Sequence, residues 1–181
     1  MSNVDPVYAL PARTLHWAVA LLVLAVIPAG FIMMNLPSGP AQNQVFDLHR
    51  SIGMLIFALA VIRVGVRIAC RPPGRPPHMP KLQWAAAETV HYALYALILV
   101  MPVLGWLASN TFGSTVRVFG LFDLPNLMAK DEPLSEKIGN LHATLGLVMS
   151  ALVAAHIGAG LWHGIVKRDG VLSRMLPFLS R

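Results

Sequence analysis

The chain has 181 residues, of which 56% are hydrophobic and only 12% carry a formal charge. Because soluble domains carry about 25% charged residues, this composition excludes a soluble domain and predicts a single membrane domain over residues 1–181. The net charge of +6 does not indicate nucleic-acid binding, because the basic residues are distributed as in a membrane protein with one positively charged side. With Cys70 as its single cysteine, the chain cannot form an internal disulfide.

Four segments of the chain are apolar and long enough to cross a bilayer, which needs about 20 residues of helix. The second is the weakest, because Arg50, Arg63 and Arg67 interrupt its apolar run. The pattern predicts an all-α fold, an integral membrane four-helix bundle. In chain order, the predicted spans cover about residues 14–34, 48–69, 89–108 and 139–163.

Polar connectors separate the four spans. Residues 35–47 join the first two, and the prolines of residues 70–84 exclude a helix between the second and the third. Residues 109–137 form the longest connector, which has room for a short surface helix. The C-terminal residues 171–181 mix apolar and basic side chains, so we expect them to lie on the inner membrane surface.

The basic residues predict the orientation of the bundle, because short cytoplasmic loops are enriched in Lys and Arg. The side with more of them is expected to be cytoplasmic, which places both termini in the cytoplasm. Arg50, Arg117, Lys130 and Lys137 fall on the outer side. The residues on the inner side are Arg13, Arg63, Arg67, Arg71, Arg75, Lys81, Lys167, Arg168, Arg174 and Arg181.

The histidines within the spans fall into two layers. His142 and His156 are 14 residues apart, which puts them on nearly the same helix face and about 21 Å apart along the axis. His163 continues this stripe at the inner end. The alternating direction of the spans places His49 at the depth of His142, and either His16 or His91 at the depth of His156.

Two imidazoles that face each other between helices are suitable axial ligands for haem iron. Two such layers predict two haems, one near each membrane face. Zinc is the alternative metal, but zinc favours closely spaced ligands that often include cysteine. The absence of a C-x-x-C-H motif excludes covalently attached c-type haem.

Glycine follows three of the histidines at a distance of four residues. The segments HRSIG, HATLG and HIGAG place Gly53, Gly146 and Gly160 one helical turn beyond a histidine, on the same face. A flat macrocycle fits where a helix face carries no side chain. Close packing of small residues between membrane helices is the alternative explanation, but three repeats favour haem.

The chain resembles the bacterial cytochrome b561 family of four-helix, two-haem membrane proteins, and within it the superoxide oxidase (superoxide:ubiquinone oxidoreductase) type. The resemblance covers almost the whole chain. It is carried by LHW at His16, LHRSIG at His49, HYALYALILVMPVLGW in the third span, the His142 and His156 pair, His163, and the tail KRDGVLSRMLP.

The resemblance implies roles for individual residues. His16 and His156 would bind the inner haem, and His49 and His142 the outer haem. His163 would lie near a ubiquinone pocket. The remaining assignments are weaker: His91 would bind a haem propionate or the quinone, and Arg63 and Arg67 would neutralise propionates, unless these arginines only extend to the membrane surface.

The resemblance also implies an activity. Superoxide would be oxidised to dioxygen in the periplasm, and its electrons would reach ubiquinone in the bacterial inner membrane. Arg50, Arg117, Lys130 and Lys137 would attract the superoxide anion, although acidic residues on the same side oppose them.

Two other functions remain open from the sequence. The chain could be a membrane-anchor cytochrome b that carries electrons between a dehydrogenase or hydrogenase partner and the quinone pool. It could also be a structural or transport protein whose histidines are incidental.

Overall fold

In a computed structural model, which describes residues 7–179, four long helices run antiparallel to one another. They are α1 (Leu10–Asn35), α2 (Pro40–Ala69), α3 (Lys81–Phe112) and α4 (Glu132–Leu161). Each is long and apolar enough to cross a membrane, as an all-α membrane bundle requires. The residues before Val7 and after Leu179, including Arg181, lie outside the described part of the chain.

The helices extend beyond the apolar spans because a helix satisfies its own backbone hydrogen bonds in water as well as in lipid. Residues 40–47 of the first connector belong to α2, and residues 81–84 of the second belong to α3. Prolines stand in the first turns of α1, α2 and α4, where a missing N–H costs nothing. Asp131 caps α4 by accepting from the amide of Leu134 at 3.0 Å.

The helices pack in chain order, α1 on α2, α2 on α3 and α3 on α4. Between α1 and α4 lies an apolar cleft of ≈ 230 Å³. Large apolar side chains such as Ile68 and Leu147 point outward and are 76% and 59% exposed, as expected for a surface in contact with lipid. The buried core between the helices comprises Val19, Val23, Ile52, Ile56, Ala60, Ile98 and Met149.

The long connector does not form the surface helix expected from its length. It forms a β-hairpin instead, in which β1 (Arg117–Val118) pairs with β2 (Phe122–Asp123). Phe119 and Gly120 in the turn both have positive φ, 49° and 71°, which favours a tight hairpin turn over a helix. The buried Ser51 hydroxyl of α2 holds the hairpin by accepting from the amide of Phe119 at 2.8 Å.

The C-terminal segment folds against the end of the bundle at which α1 begins, here called the inner end. A π-helical turn (Trp162–Lys167) extends α4, and two short 3-10 turns follow. The carbonyl of Arg174 accepts from the amide of Tyr8 at 3.1 Å, and its buried guanidinium donates to the carbonyl of Gly74 at 2.7 Å. The tail is therefore tied to the protein itself at the inner end of the bundle.

Candidate functional site

His49 of α2 and His142 of α4 meet at the end of the bundle opposite the inner end, here called the outer end. Their ring centroids are 6.1 Å apart and their planes cross at 71°. Nδ1 of His49 lies 3.1 Å from the carbonyl of Val26 on α1. A carbonyl only accepts, so Nδ1 carries the proton and donates it, and Nε2 keeps a free lone pair.

His16 of α1 and His156 of α4 meet at the inner end in nearly the same arrangement. Their ring centroids are 6.1 Å apart with an interplanar angle of 73°. His91 of α3 approaches the same His156 more closely, at 5.1 Å and 72°. The structure therefore brings both His16 and His91 next to His156, and they differ in the distance between ring centroids.

The spacing of the rings tests whether they fit haem iron. A metal binds imidazole nitrogen at about 2 Å, and the ring centroid lies about 1 Å behind that nitrogen, so two rings on opposite sides of one metal have centroids about 6 Å apart. The pairs His49–His142 and His16–His156 match this value, both at 6.1 Å. The 5.1 Å between His91 and His156 is too short.

The donor set also fits haem better than a metal bound by protein alone. Within residues 7–179, no group of three or more His, Cys, Asp or Glu side chains could hold a metal ion. Two histidines at the spacing for one shared metal suit a macrocycle that supplies the other four ligands. Zinc in a tetrahedral protein site is therefore not supported by the described residues.

The three glycines that follow histidines face unfilled space. A Cβ added to Gly53 or Gly160 would meet nothing within 4 Å, and one added to Gly146 would touch only the Met101 methyl group at 3.6 Å. Close helix packing would instead bring neighbouring atoms against these positions. These positions leave room for a flat group beside the histidines, and together with the 6.1 Å spacing of the two pairs, the residues present fit haem.

Two buried polar atoms near the outer pair have no protein partner among the described residues. They are Nδ1 of His142 and the indole Nε1 of Trp106. Because an indole N–H is only a donor, Trp106 is suited to an acidic group of a ligand. Trp106 was not predicted as a site residue, although it ends the motif HYALYALILVMPVLGW of the third span.

Arg63 and Arg67 lie at the inner end, where propionate-binding residues were predicted. The Arg63 Nη2 is 2.9 Å from Nδ1 of His16, and its guanidinium lies over the Tyr95 ring at 4.9 Å. Arg67 lies over Tyr92 and Tyr95 at 5.5 and 5.3 Å. These arginines therefore face the bundle and its aromatic rings, beside the inner histidine pair.

His163 lies in the π-helical turn after α4, where it is 6% exposed. Its Nδ1 is 2.6 Å from the Asp169 carboxylate, and its Nε2 accepts from the amide of Gln83 at 3.0 Å. His78, in the loop before α3, lies 3.8 Å from the same carboxylate. Gln83 and Asp169 were missed as site residues. Asp169 stands in the tail motif KRDG, which was the available signal.

The four basic residues predicted to attract superoxide all lie at the outer end, but three of them form ion pairs with carboxylates. A pair at the surface cancels much of the field of its cation. Lys137 is the one of the four without such a pair among residues 7–179. The pairs are Arg50–Asp47 at 3.5 Å, Arg117–Asp123 at 2.8 Å and Lys130–Glu132 at 2.8 Å.

Four apolar helices with imidazoles paired between them define a membrane helical bundle built to hold a metal-containing cofactor. The family model "Prokaryotic cytochrome b561" matches residues 7–178. The chain therefore belongs to the prokaryotic cytochrome b561 family, whose members are multi-pass membrane electron-transfer proteins with b-type haem.

Individual relatives are similar over nearly their whole length. The chain is 31% identical to "Cytochrome b561 homolog 2" of Escherichia coli (strain K12), over 97% of this chain and 94% of the relative. It is 27% identical to "Cytochrome b561 homolog 1" of the same organism, over 90% and 93%. It is 24% identical to "Probable superoxide oxidase CybB" of Yersinia pestis, over 90% and 92%.

Proposed function

We propose that the protein holds two haems b, one between His49 and His142 and one between His16 and His156. The observation that carries this proposal is the equal spacing of the two pairs, 6.1 Å each. On α4, the two ligands stand 14 residues apart, so the two sites are separated by about 21 Å along the helix. Two redox centres at two depths provide a route for electrons across a bacterial inner membrane, with both termini in the cytoplasm.

Haem held by both histidines of each pair would supply one-electron transfer, and not dioxygen binding, at these sites. The net reaction that we propose joins two superoxide anions, one ubiquinone and two protons to give two dioxygen molecules and one ubiquinol. The name of the Yersinia pestis relative supports superoxide as the electron donor. Oxidation of superoxide is assigned to the outer end and reduction of ubiquinone to the inner end.

The chain's own residues prepare the two sites differently. At the outer end, the Val26 carbonyl holds the proton of His49 on Nδ1 and leaves Nε2 free to bind a metal. At the inner end, the Arg63 guanidinium donates to Nδ1 of His16. For Nε2 of His16 to act as the ligand, Arg63 must turn away from the ring, and a propionate is a suitable acceptor for it.

The test is stopped-flow mixing of the purified protein with superoxide, with haem reduction followed by absorbance in the presence and absence of ubiquinone. Rapid reduction of both haems, followed by reoxidation only when quinone is present, supports the proposal. Slow reduction by superoxide excludes it as the physiological donor. A purified protein without a Soret band excludes haem altogether.

A membrane-anchor cytochrome b, which carries electrons between a dehydrogenase or hydrogenase partner and the quinone pool, is the second candidate. One observation favours it: the hairpin at the outer end exposes the apolar side chains of Phe119, Leu121 and Phe122, which suits contact with another protein. In that case, a dehydrogenase co-purifies with the protein and reduces the haems faster than superoxide does.

The steering of superoxide by basic residues is expected to be weak. Because Arg50, Arg117 and Lys130 are paired with carboxylates, Lys137→Gln should lower the rate of superoxide-driven reduction by only about two- to threefold, at the low end of electrostatic effects. Lys81→Gln, at the other end of the bundle, is the control and should have no effect. A rate that is independent of both Lys137 and ionic strength removes steering from the proposal.

Reduction of the quinone needs protons at the inner end, and we place His163 beside the quinone pocket. The Asp169 carboxylate accepts a hydrogen bond from Nδ1 of His163 at 2.6 Å and orients the ring, so that Nε2 can take up and pass on a proton. Asp169→Asn should slow quinone reduction on the order of 100-fold, while superoxide still reduces the haems at the normal rate. Asp123→Asn at the outer end is the control. If quinone is reduced at the same rate by Asp169→Asn, Asp123→Asn and the wild type, then Asp169 and His163 do not act in quinone reduction.

A further inference from the structure

Two glycines lie directly against the imidazole rings of the outer pair. A Cβ at Gly30 of α1 would lie 3.1 Å from Cε1 and 3.5 Å from Nδ1 of His49. A Cβ at Gly105 of α3 would lie 3.3 Å from Cε1 and 3.6 Å from Nδ1 of His142. Distances of 3.1 and 3.3 Å are shorter than ordinary van der Waals contact between carbon atoms, so a side chain at either position displaces the ring.

The two contacts are built in the same way on two different helices. Each glycine touches the Cε1–Nδ1 edge of a histidine from the neighbouring helix. In each case, the ring also approaches the backbone of the residue four positions before the glycine. On α1, that group is the Val26 carbonyl, which accepts from His49 at 3.1 Å. On α3, it is the backbone of Met101, although His142 Nδ1 does not reach hydrogen-bond geometry and stays buried without a partner.

The glycines that follow the histidines do not behave like this pair. Gly53 and Gly160 face open space, so they leave room beside a ring instead of touching one. At the inner pair, Nδ1 of His16 meets the Arg63 guanidinium, not a helix backbone. Among the glycines that the structure describes, those whose Cβ would touch a histidine ring are therefore the two at the outer pair.

We infer that Gly30 and Gly105 are positioning residues, which set the orientation of the two outer imidazoles by admitting each ring to the backbone of the neighbouring helix. The inference rests on the proposed ligation of the outer haem by His49 and His142. Each ring meets its glycine along the Cε1–Nδ1 edge, which leaves Nε2 free for a metal, and the two ring planes lie at 71° to each other.

The outer imidazoles should therefore differ from the inner pair in how strongly they donate electrons to a metal and in how their planes are oriented. An imidazole that donates from Nδ1 to a carbonyl is a stronger electron donor to its metal, which favours oxidised iron and lowers the reduction potential. The angle between two axial imidazole planes determines the largest g-value of a low-spin ferric signal. Moving either ring should therefore change both properties of the outer haem alone.

The test compares Gly30→Ala and Gly105→Ala with Gly65→Ala in the purified, haem-loaded protein. Gly65 is a matched control because it is on α2, 16 residues from His49 and on the opposite helix face, and a Cβ there meets nothing within 4 Å. The readouts are the electron paramagnetic resonance spectrum, a redox titration and the haem content of each variant.

In Gly30→Ala and Gly105→Ala, the largest g-value of the outer haem should shift. Its potential should become more positive in Gly30→Ala, where the bond to Val26 is lost. The inner haem should be unchanged. Selective loss of the outer haem from these two variants also supports the inference. The inference is overturned if both glycine variants have wild-type spectra and potentials. It is also overturned if both haems change or are lost to the same extent in these variants while Gly65→Ala stays normal, because a positioning role acts on one site.

A failure of the inference can be separated from a failure of the proposed ligation. If His49→Ala keeps both haems, then the ligand assignment itself is wrong. If His49→Ala loses the outer haem while both glycine variants retain wild-type spectra and potentials, then the ligands are right and the glycines do not position them.

Discussion

Replacing His142 with alanine is expected to lower the haem content from about two to about one per chain. His142 faces only His49 across the outer site, at 6.1 Å between ring centroids, so its loss leaves one axial ligand there. The inner pair on the same helix is about 21 Å away and should keep its haem. The pyridine haemochrome assay and redox titration measure both outcomes, and superoxide-driven reduction should fall to background.

Thr144→Ala is the matched control for this variant. Thr144 is two residues further along α4, exposed, and its hydroxyl donates to the carbonyl of Asn140 at 2.8 Å. Its removal should leave the haem content unchanged. If His142→Ala keeps both haems, or loses both while it remains folded in detergent, then the outer site does not depend on this residue as we propose.

The membrane fold could be predicted from the sequence because apolar length is a strong and local signal. The second span was the weakest, since Arg63 and Arg67 interrupt it, yet α2 runs without a break to Ala69. The structure shows the reason: on α3, the Tyr95 ring lies under both guanidinium groups and the Tyr92 ring under that of Arg67. Such cation–π contacts shield a charge inside a bundle, and they join residues that no sequence spacing connects.

The β-hairpin at the outer end could not be predicted from connector length. Its turn depends on positive φ at Phe119 and Gly120, and phenylalanine is an unusual residue for such a conformation. The hairpin is held by the Ser51 hydroxyl, which is 68 residues away from Phe119 in sequence. A long-range hydrogen bond of this kind, and not a local preference, fixes the fold of the loop.

The candidate site was predictable in part. Helical periodicity predicted that His142, His156 and His163 share one face of α4. The predicted depth of each residue in the membrane indicated His49 as the partner of His142. Depth alone could not choose between two histidines at the same level, and it could not find Gln83, which meets His163 from 80 residues away. The family resemblance implied His16, and the distances of 6.1 and 5.1 Å from the two rings to His156 favour the same residue. Such distances between different helices become available only when the helices are packed.

The choice between His16 and His91 leads to the second large expected effect. His16→Ala should remove the inner haem and keep the outer one, because His16 is 6.1 Å from His156 and so at the spacing for a shared iron. His91→Ala should keep both haems, because 5.1 Å leaves no room for a metal between His91 and His156. Haem content and redox titration of the two variants measure the difference.

The His91 variant provides the sharper comparison, since His16 and His91 lie at the same depth and both contact His156. General damage to the inner end should affect the haem content of both variants. Loss of an iron ligand should remove the inner haem from only one of the two variants. If the haem is lost in His91→Ala and kept in His16→Ala, then His91 and not His16 is the ligand. A change in the inner haem potential without loss in His91→Ala would instead place His91 beside the ligand His156, where an edge contact tunes the metal without binding it.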